Sequence, residues 1–485
     1  MYRFLAMALV GGCLALVPVH AGAQTVKTLK NQPPNGALIV FQLTDGTVLA
    51  QSDGESTWYK LTPDNTGSYV NGTWTQVGSL PPGYQPLYFA SAVLADGRVA
   101  IIGGEYNYDQ FAFTNMGAIY DPVSGVWGRL DHPKGWHYVG DSPGVVLPDG
   151  DFVVGEKMKK NLASLDPKTL KWTELSDAGK NDFNAEEGWT LLPDGSFLTA
   201  DVKAHPRTEK YVPARSHWIE QGSTVADLKG PPCCSCIPYG TRGKCYLPPG
   251  EIGPAILRPD GSVFATGALP QGEQSAHTSI YHQADPLDPR NNWTPGPDFP
   301  NGDQAGDSYA ALLPDGNVLV EGDSGTLYEF DGTNLTAENV GQVGLYTSLM
   351  VLPTGEVLVG GYEVYQSSGS YQASWAPAIT SCLSTVTRGS SYRISGTQFN
   401  GLSQAAAFGD ENETATNYPL VRITNTSSGH VFYARTHDHS TMGVATGTRI
   451  VSTKFDVPST METGASSLEV VADGIPSTPV SVTVQ

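Results

Sequence analysis

The chain repeats one phrase seven times: an apolar run, a turn that is Asp-Gly in six copies and Thr354-Gly355 in the seventh, and a second apolar run that often closes on glycine. AVLADGRVAIIGG, VVLPDGDFVVG, ALLPDGNVLVEG and MVLPTGEVLVGG are four of the copies, and the turn glycines are Gly46, Gly97, Gly150, Gly195, Gly261, Gly316 and Gly355. A tight turn between antiparallel strands needs positive φ, which glycine supplies without a Cβ clash. The flanking Val, Leu, Ile and Phe suit strands buried on both faces. Each copy therefore reads as a hairpin.

After most hairpins comes a third short segment, such as GAIYDPVSG at Gly117–Gly125, and then a tryptophan: Trp74, Trp127, Trp172, Trp218 or Trp293. In the sixth unit Leu335 stands at that place. A unit is thus about four strands long. A repeat of such units every 39 to 66 residues is the period of a kelch-type propeller blade. The expectation is an all-β chain with a seven-bladed kelch-type β-propeller over residues 24–375. The seventh unit is short and expected to be completed by an N-terminal strand from Thr25–Lys30. Beyond Trp375 the texture changes to alternating β-branched residues and glycine turns, which fits an immunoglobulin-like (E-set) β-sandwich over residues 376–485, packed against the propeller.

Met1-Tyr2-Arg3, an apolar stretch from Phe4 to Val19, and Ala21-Gly22-Ala23 read as a secretory signal peptide over residues 1–23. A secreted or periplasmic location follows. The formal net charge of -20 repels nucleic acid and anionic membranes, and no later stretch is apolar enough to insert in a bilayer. Cys233, Cys234, Cys236 and Cys245 cluster in one loop. In an exported protein they are expected to form stapling disulfides, with pairing left open; a zinc site fits the adjacent pair poorly. Cys382 is expected to be a free thiol.

The turns also serve as a ruler. In a propeller the innermost strand of each blade starts at one mouth of the central channel. Eight residues before each turn Asp, or Thr354, stand Ala37, Tyr88, Asp141, Glu186, Ile252, Asp307 and Tyr346, with Glu187 and Glu251 one step off register. One mouth is therefore expected to carry Tyr88, Tyr346 and the carboxylates Asp141, Glu186, Glu187, Glu251 and Asp307, the candidate catalytic set. Crowded carboxylates need protons, hydrogen bonds or a cation. The mouth can thus take a metal, a cationic ligand or sugar hydroxyls, unless the groups merely bond to backbone amides and channel water. In the second domain His437 and His439 lie two residues apart. On a strand they would share a face and could chelate one metal.

With these residues in view, the chain resembles the galactose oxidase and glyoxal oxidase group from about Gly36 to Val484. That group holds copper with two tyrosines and two histidines, one tyrosine being cross-linked to a cysteine. The resemblance implies that Tyr88 and Tyr346 correspond to the two tyrosines. It implies that His437, after Leu420-Val421-Arg422 and next to Thr436, is the histidine delivered by a C-terminal loop, with His439 as a substitute for the other. Thr347 stands where the group has a histidine and Ile39 where it has the cysteine, so no cysteine–tyrosine radical cofactor is expected. Two functions follow: an exported binding protein for a carbohydrate or a cell-surface protein ligand, or a metal-dependent enzyme. The enzyme would be an oxidoreductase using a transition metal such as copper, or a carboxylate-based hydrolase or lyase, acting on a sugar or polyol at the mouth.

Overall fold

The computed structural model describes residues 24–485 apart from 54, 233–236, 239–244, 247–248, 284–288, 345–346 and 412. The expected signal peptide, the side chains of the four clustered cysteines, and Tyr346 lie outside the described residues. Cys382 is a free thiol among them.

The regular structure of the described chain is almost all strand. The Asp-Gly phrases form the inner two strands of successive up-and-down sheets. Val40–Gln42 pairs with Val48–Gln51, which pairs with Trp58–Thr62 and then Thr73–Gln76. The pattern recurs in sheets whose innermost strands are Ala90–Val93, Gly144–Val146, Thr190–Leu191, Ala255–Leu257, Ala310–Leu312 and Leu349–Val351. The tryptophans fall where the repeat put them, on the outer strand. Trp74, Trp127, Trp172, Trp218 and Trp293 stand opposite Leu61, Tyr120, Leu165, Tyr211 and Tyr281, and Leu335 stands opposite Phe330. The last sheet takes its outer strand from the N-terminus, Thr25–Thr28 pairing with Glu363–Gln366.

Inner strands meet edge to edge around a ring. Leu349–Val351 touches both Ala310–Leu312 and Val40–Gln42, and Gly144–Val146 touches both Ala90–Val93 and Thr190–Leu191. The fold is a β-propeller, closed by joining the two ends of its chain. Its inner strands are buried apart from the half-buried Val146 and Ala255. Each fully buried Val, Leu or Ile there contributes about 1.5–3 kcal/mol of transfer free energy.

From Ala378 onward a further sheet runs through Ser391–Thr397, Val451–Asp456, Val431–His437, Leu420–Asn425, Gly464–Ala472 and Val480–Val484. It curls so that Ile394 and Phe455 share a core with Leu468 and Val482. This domain sits on the turn side of the propeller. Thr436 N–H donates to Thr44 O, His439 N–H to Ala95 O and Met442 N–H to Pro148 O. A Cβ on Gly46 would strike the Tyr433 ring, and Gly46 also has φ +77°. The turn glycines thus admit a close neighbour as well as a hairpin.

One segment of the second domain leaves that interface and threads the channel. Ala406–Ala407 adds a strand to the inner edge at Ala310–Ala311. Gln404 Oε1 accepts from Leu191 N–H, Ser91 Oγ donates to Glu413 O, and Tyr418 OH donates to Gln42 O. The passage is tight: a Cβ on Gly188 would overlap the Gly409 carbonyl oxygen, and one on Gly409 would lie 2.6 Å from Ile252 O. Gly188→Ala should therefore lower stability by about 1–3 kcal/mol, the usual cost of overpacking. The urea midpoint at unchanged m-value measures it.

Candidate ligand pocket at the channel mouth

The end of the channel remote from the turns opens into a cavity of about 210 Å³. It is lined by Tyr88, Glu105, Tyr106, Asp141, Glu186, Glu251, Asp307, Phe408, Asp410 and Glu411. The inner strands deliver their part of this set through an uncommon backbone. Tyr88, Glu186 and Asp307 share one register before three different strands, and all three are left-handed, with φ of 52°, 58° and 53°. For residues other than glycine this costs about 1–3 kcal/mol each. The same strain at three equivalent positions turns the side chains into the channel. Strain recurring at one mouth is a sign of use rather than accident.

Beneath the cavity lies Lys157, 1% exposed, just past the strand Phe152–Gly155. Its ammonium donates to Asp141 and, at 2.9 Å, to Glu186. It also stands 5.6 Å from the centre of the Phe113 ring. Burial by itself would lower the lysine pKa. Glu186, Asp410, Glu105 and Glu251 more than reverse this, so the group stays charged. Seven lining carboxylates face this one ammonium.

Four of the lining carboxylates are pushed toward their protonated forms. Burial, followed by Asp410, raises the pKa of Asp307 to about 7. Burial, then Glu186, Asp307 and Asp410, lifts Glu251 well above the usual carboxylate range. Burial and Asp410 do the same to Glu411, and burial raises Glu105. Asp141, Asp410 and Glu411 each place an oxygen within 4.8 Å of the others. Asp141 Oδ1 and Asp410 Oδ1 are buried without a hydrogen-bond partner among the described residues.

The ruler thus brings Tyr88, Asp141, Glu186, Glu251 and Asp307 into one cavity. Glu251, not the in-register Ile252, is the lining residue. Glu187 goes elsewhere. It is fully buried and accepts from Lys180 Nζ at 2.7 Å.

The two histidines do not line the cavity. His437 ends the strand Val431–His437 and pairs with Asp456 at 3.1 Å and Asp438 at 3.3 Å. Asp438 then turns left-handed at φ 51°, which breaks the two-residue alternation. His439 is buried instead against Tyr418 and bonded to Thr453 Oγ1 at 2.9 Å. Burial, aided by the nearby charge of His437, depresses its pKa to about 3. A neutral ring fits that place. The donors around Tyr88 are therefore carboxylates rather than imidazoles, and buried Ile39 offers no thiol. This set does not fit a copper–radical centre.

A C-terminal segment does enter the channel, but it is 404–418, and it brings Phe408, Asp410 and Glu411 in place of a histidine. Its signal was the acidic run Asp410-Glu411-Asn412-Glu413 after three small residues, Ala405-Ala406-Ala407. Glu105 and Lys157 had a signal as well. The second strand of each hairpin returns to the mouth where the first began, so the ruler also runs forward, past the closing glycines of IIGGE and VVGEK.

No protein-family model matches the chain, and no curated protein matches it. Among solved structures it is similar to virginiamycin B lyase from Staphylococcus aureus, with 11% identity and a TM-score of 0.45 over 70% of this chain and 97% of that one. It is also similar to the extracellular domain of a putative one-component system from B. thetaiotaomicron, with 10% identity and a TM-score of 0.44. That likeness covers 95% of this chain and 58% of the other. The structure of YCF48 bound to D1 peptide is similar over 74% of this chain and 99% of that one, with 12% identity and a TM-score of 0.41. At these scores none of them bears on what the pocket holds.

Proposed function

We propose that the chain is an exported, galactose-oxidase-like binding protein: a seven-bladed kelch-type propeller with an immunoglobulin-like C-terminal domain. Its mouth pocket binds a small cationic ligand, with amino sugars as the carbohydrate class that fits. One observation carries this reading: seven carboxylates converge on a cavity that has, among the described residues, a single ammonium bonded to its lining. A cationic ligand would replace protons as the compensating charge. Tyr88, Tyr106 and Phe408 add aromatic faces of the kind that attract organic cations. The cavity's size suits a monosaccharide-sized molecule rather than a bare ion. The leader-like start of the sequence supports export.

Titration calorimetry with glucosamine and with uncharged glucose tests the charge requirement. Glucosamine should bind and glucose should not. Asp307→Asn should weaken glucosamine binding tenfold or more. The same change should raise Tm at pH 8, because it removes a carboxylate whose ionisation is resisted by burial and by Asp410. Equal binding of both sugars would refute the reading.

A second reading rests on the spacing of Asp141, Asp410 and Glu411. These oxygens could hold a divalent metal, making the mouth the site of a hydrolase or lyase with Asp307 as proton donor near neutral pH. Elemental analysis of purified protein supports it if one metal per chain is present and is lost in Asp410→Asn.

A further inference from the structure

Glu187 leads to a second buried acidic group, inside the sheet that begins at Thr190–Leu191. Four carboxylates surround Lys180 there. Its ammonium donates to Glu187 at 2.7 Å and to Glu209 at 2.8 Å, and lies 3.6 Å from Asp182 Oδ1. Asp201, at the end of the strand Phe197–Ala200, completes the group. All are buried: Lys180 is 4% exposed, Asp182 7%, Asp201 2%, and Glu187 and Glu209 0%.

Part of this charge is matched by fixed donors. Asp182 Oδ2 accepts from Lys203 N–H at 3.0 Å and Ala204 N–H at 2.6 Å. Asp201 Oδ2 accepts from Asn181 Nδ2 at 2.7 Å, and Glu209 accepts from Asn181 N–H at 2.9 Å. The other oxygens of the two aspartates are left over. Asp182 Oδ1 and Asp201 Oδ1 have no hydrogen-bond partner among the described residues, and neither has Glu187 Oε1. Asp182 Oδ1 faces the group's interior, as its approach to Lys180 shows. Buried carboxylate oxygens without donors are costly, at several times the worth of an ordinary hydrogen bond.

One oxygen each from Asp182, Asp201 and Glu209 lies within 4.8 Å of the others. Three oxygens that close together can all be reached by one ion at calcium–oxygen distances of about 2.4 Å. We propose that Asp182, Asp201 and Glu209 hold a hard divalent cation of the calcium class beside Lys180. The site is distinct from the mouth pocket and serves the sheet rather than the ligand: the cation ties the segment 180–187 to the second and third strands, which carry Asp201 and Glu209. Glu186 in the same segment lines the pocket, so the cation also fixes one wall of it. Oxygen-only ligands favour calcium over softer metals.

Terbium, a luminescent calcium substitute, is the probe for the full chain. Lys180 Nζ lies 4.8 Å from the centre of the Trp218 ring, so a terbium ion in this group is placed to be excited through that indole. Tryptophan-sensitised emission should saturate at one ion per chain and be displaced by calcium. It should fall at least tenfold in Asp201→Asn and persist in Asp410→Asn, which alters only the mouth. Emission that survives both Asp201→Asn and Glu209→Gln overturns the proposal. Should those variants fail to fold, equilibrium dialysis of calcium against the Asp410→Asn chain decides: one bound ion supports the site, and none shows that protons alone compensate the group. Failure here leaves glucosamine binding at the mouth intact, so the two readings fall separately.

Discussion

Replacing Lys157 with methionine should cost the folded protein about 3–5 kcal/mol at pH 8, the usual penalty for removing one partner of a buried ion pair. Methionine matches the lysine stem in length and leaves no large void. The loss therefore falls on Asp141 and Glu186, which give up their shared ammonium while remaining 4% and 5% exposed. Against a total stability of about 5–15 kcal/mol this is a large fraction. The deficit should shrink in acid. Without the ammonium the folded-state pKa values of Asp141 and Glu186 rise, so their protonated forms are favoured by folding. That contribution is complete below the unfolded value near 4 and is lost as pH rises. Urea midpoints of parent and variant at pH 5 and pH 8 provide the measurement. A variant within about 1 kcal/mol of its parent at pH 8 would mean that something other than Lys157 compensates the mouth.

Much of this arrangement was legible in the sequence because hairpins are local. The Asp-Gly turns fix each inner pair, the tryptophans mark each outer strand, and counting from one to the other reproduces the observed sheets. The same counting placed Tyr88, Asp141, Glu186 and Asp307 at one mouth, because the same number of residues separates each of them from its turn. It failed at Glu187 and Ile252, whose neighbours Glu186 and Glu251 line the cavity instead.

What the sequence hid was contact between distant parts. The small and acidic residues from Ala405 to Glu413 mark an unusual segment but do not say that it passes through a ring built by residues 40–351; the close approaches at Gly188 and Gly409 make that passage possible. The histidines misled for a related reason. Two-residue spacing implies a shared face only while the backbone stays extended, and Asp438 leaves that region at φ 51°. His437 is paired with Asp456, and His439 is bonded through Nδ1 to Thr453 Oγ1 beside Tyr418. The channel receives carboxylates instead, a donor set that suits the cationic ligand proposed above better than redox-metal coordination.

The second large effect is an inverted dependence of stability on pH. Burial raises Asp307 and Asp473 to about 7 and Asp201 and Glu321 to about 8, with neighbouring carboxylates adding to the shift for Asp307 and Asp201. For each, the folded pKa exceeds the unfolded value near 4, so the folded state binds more protons than the unfolded chain between about pH 4 and pH 8. Stability then falls as pH rises through that window, by up to about 1.4 kcal/mol per pH unit for each proton involved. The opposite contribution comes from exposed carboxylates held low, such as Asp438 beside Lys454 and Asp166 at its turn. It acts below the window, where those groups take up protons. In metal-free buffer the urea midpoint should therefore be highest near about pH 5 and decline by several kcal/mol toward pH 8. Cations reverse the trend. Glucosamine at the mouth, or calcium beside Lys180, favours the ionised carboxylates, so binding releases protons and flattens the alkaline limb of the profile. Calorimetry in two buffers of different ionisation enthalpy counts the protons released. A metal-free profile that peaks near pH 8 would show these carboxylates to be ionised and already compensated, and the demand for a cationic ligand would vanish with their protons.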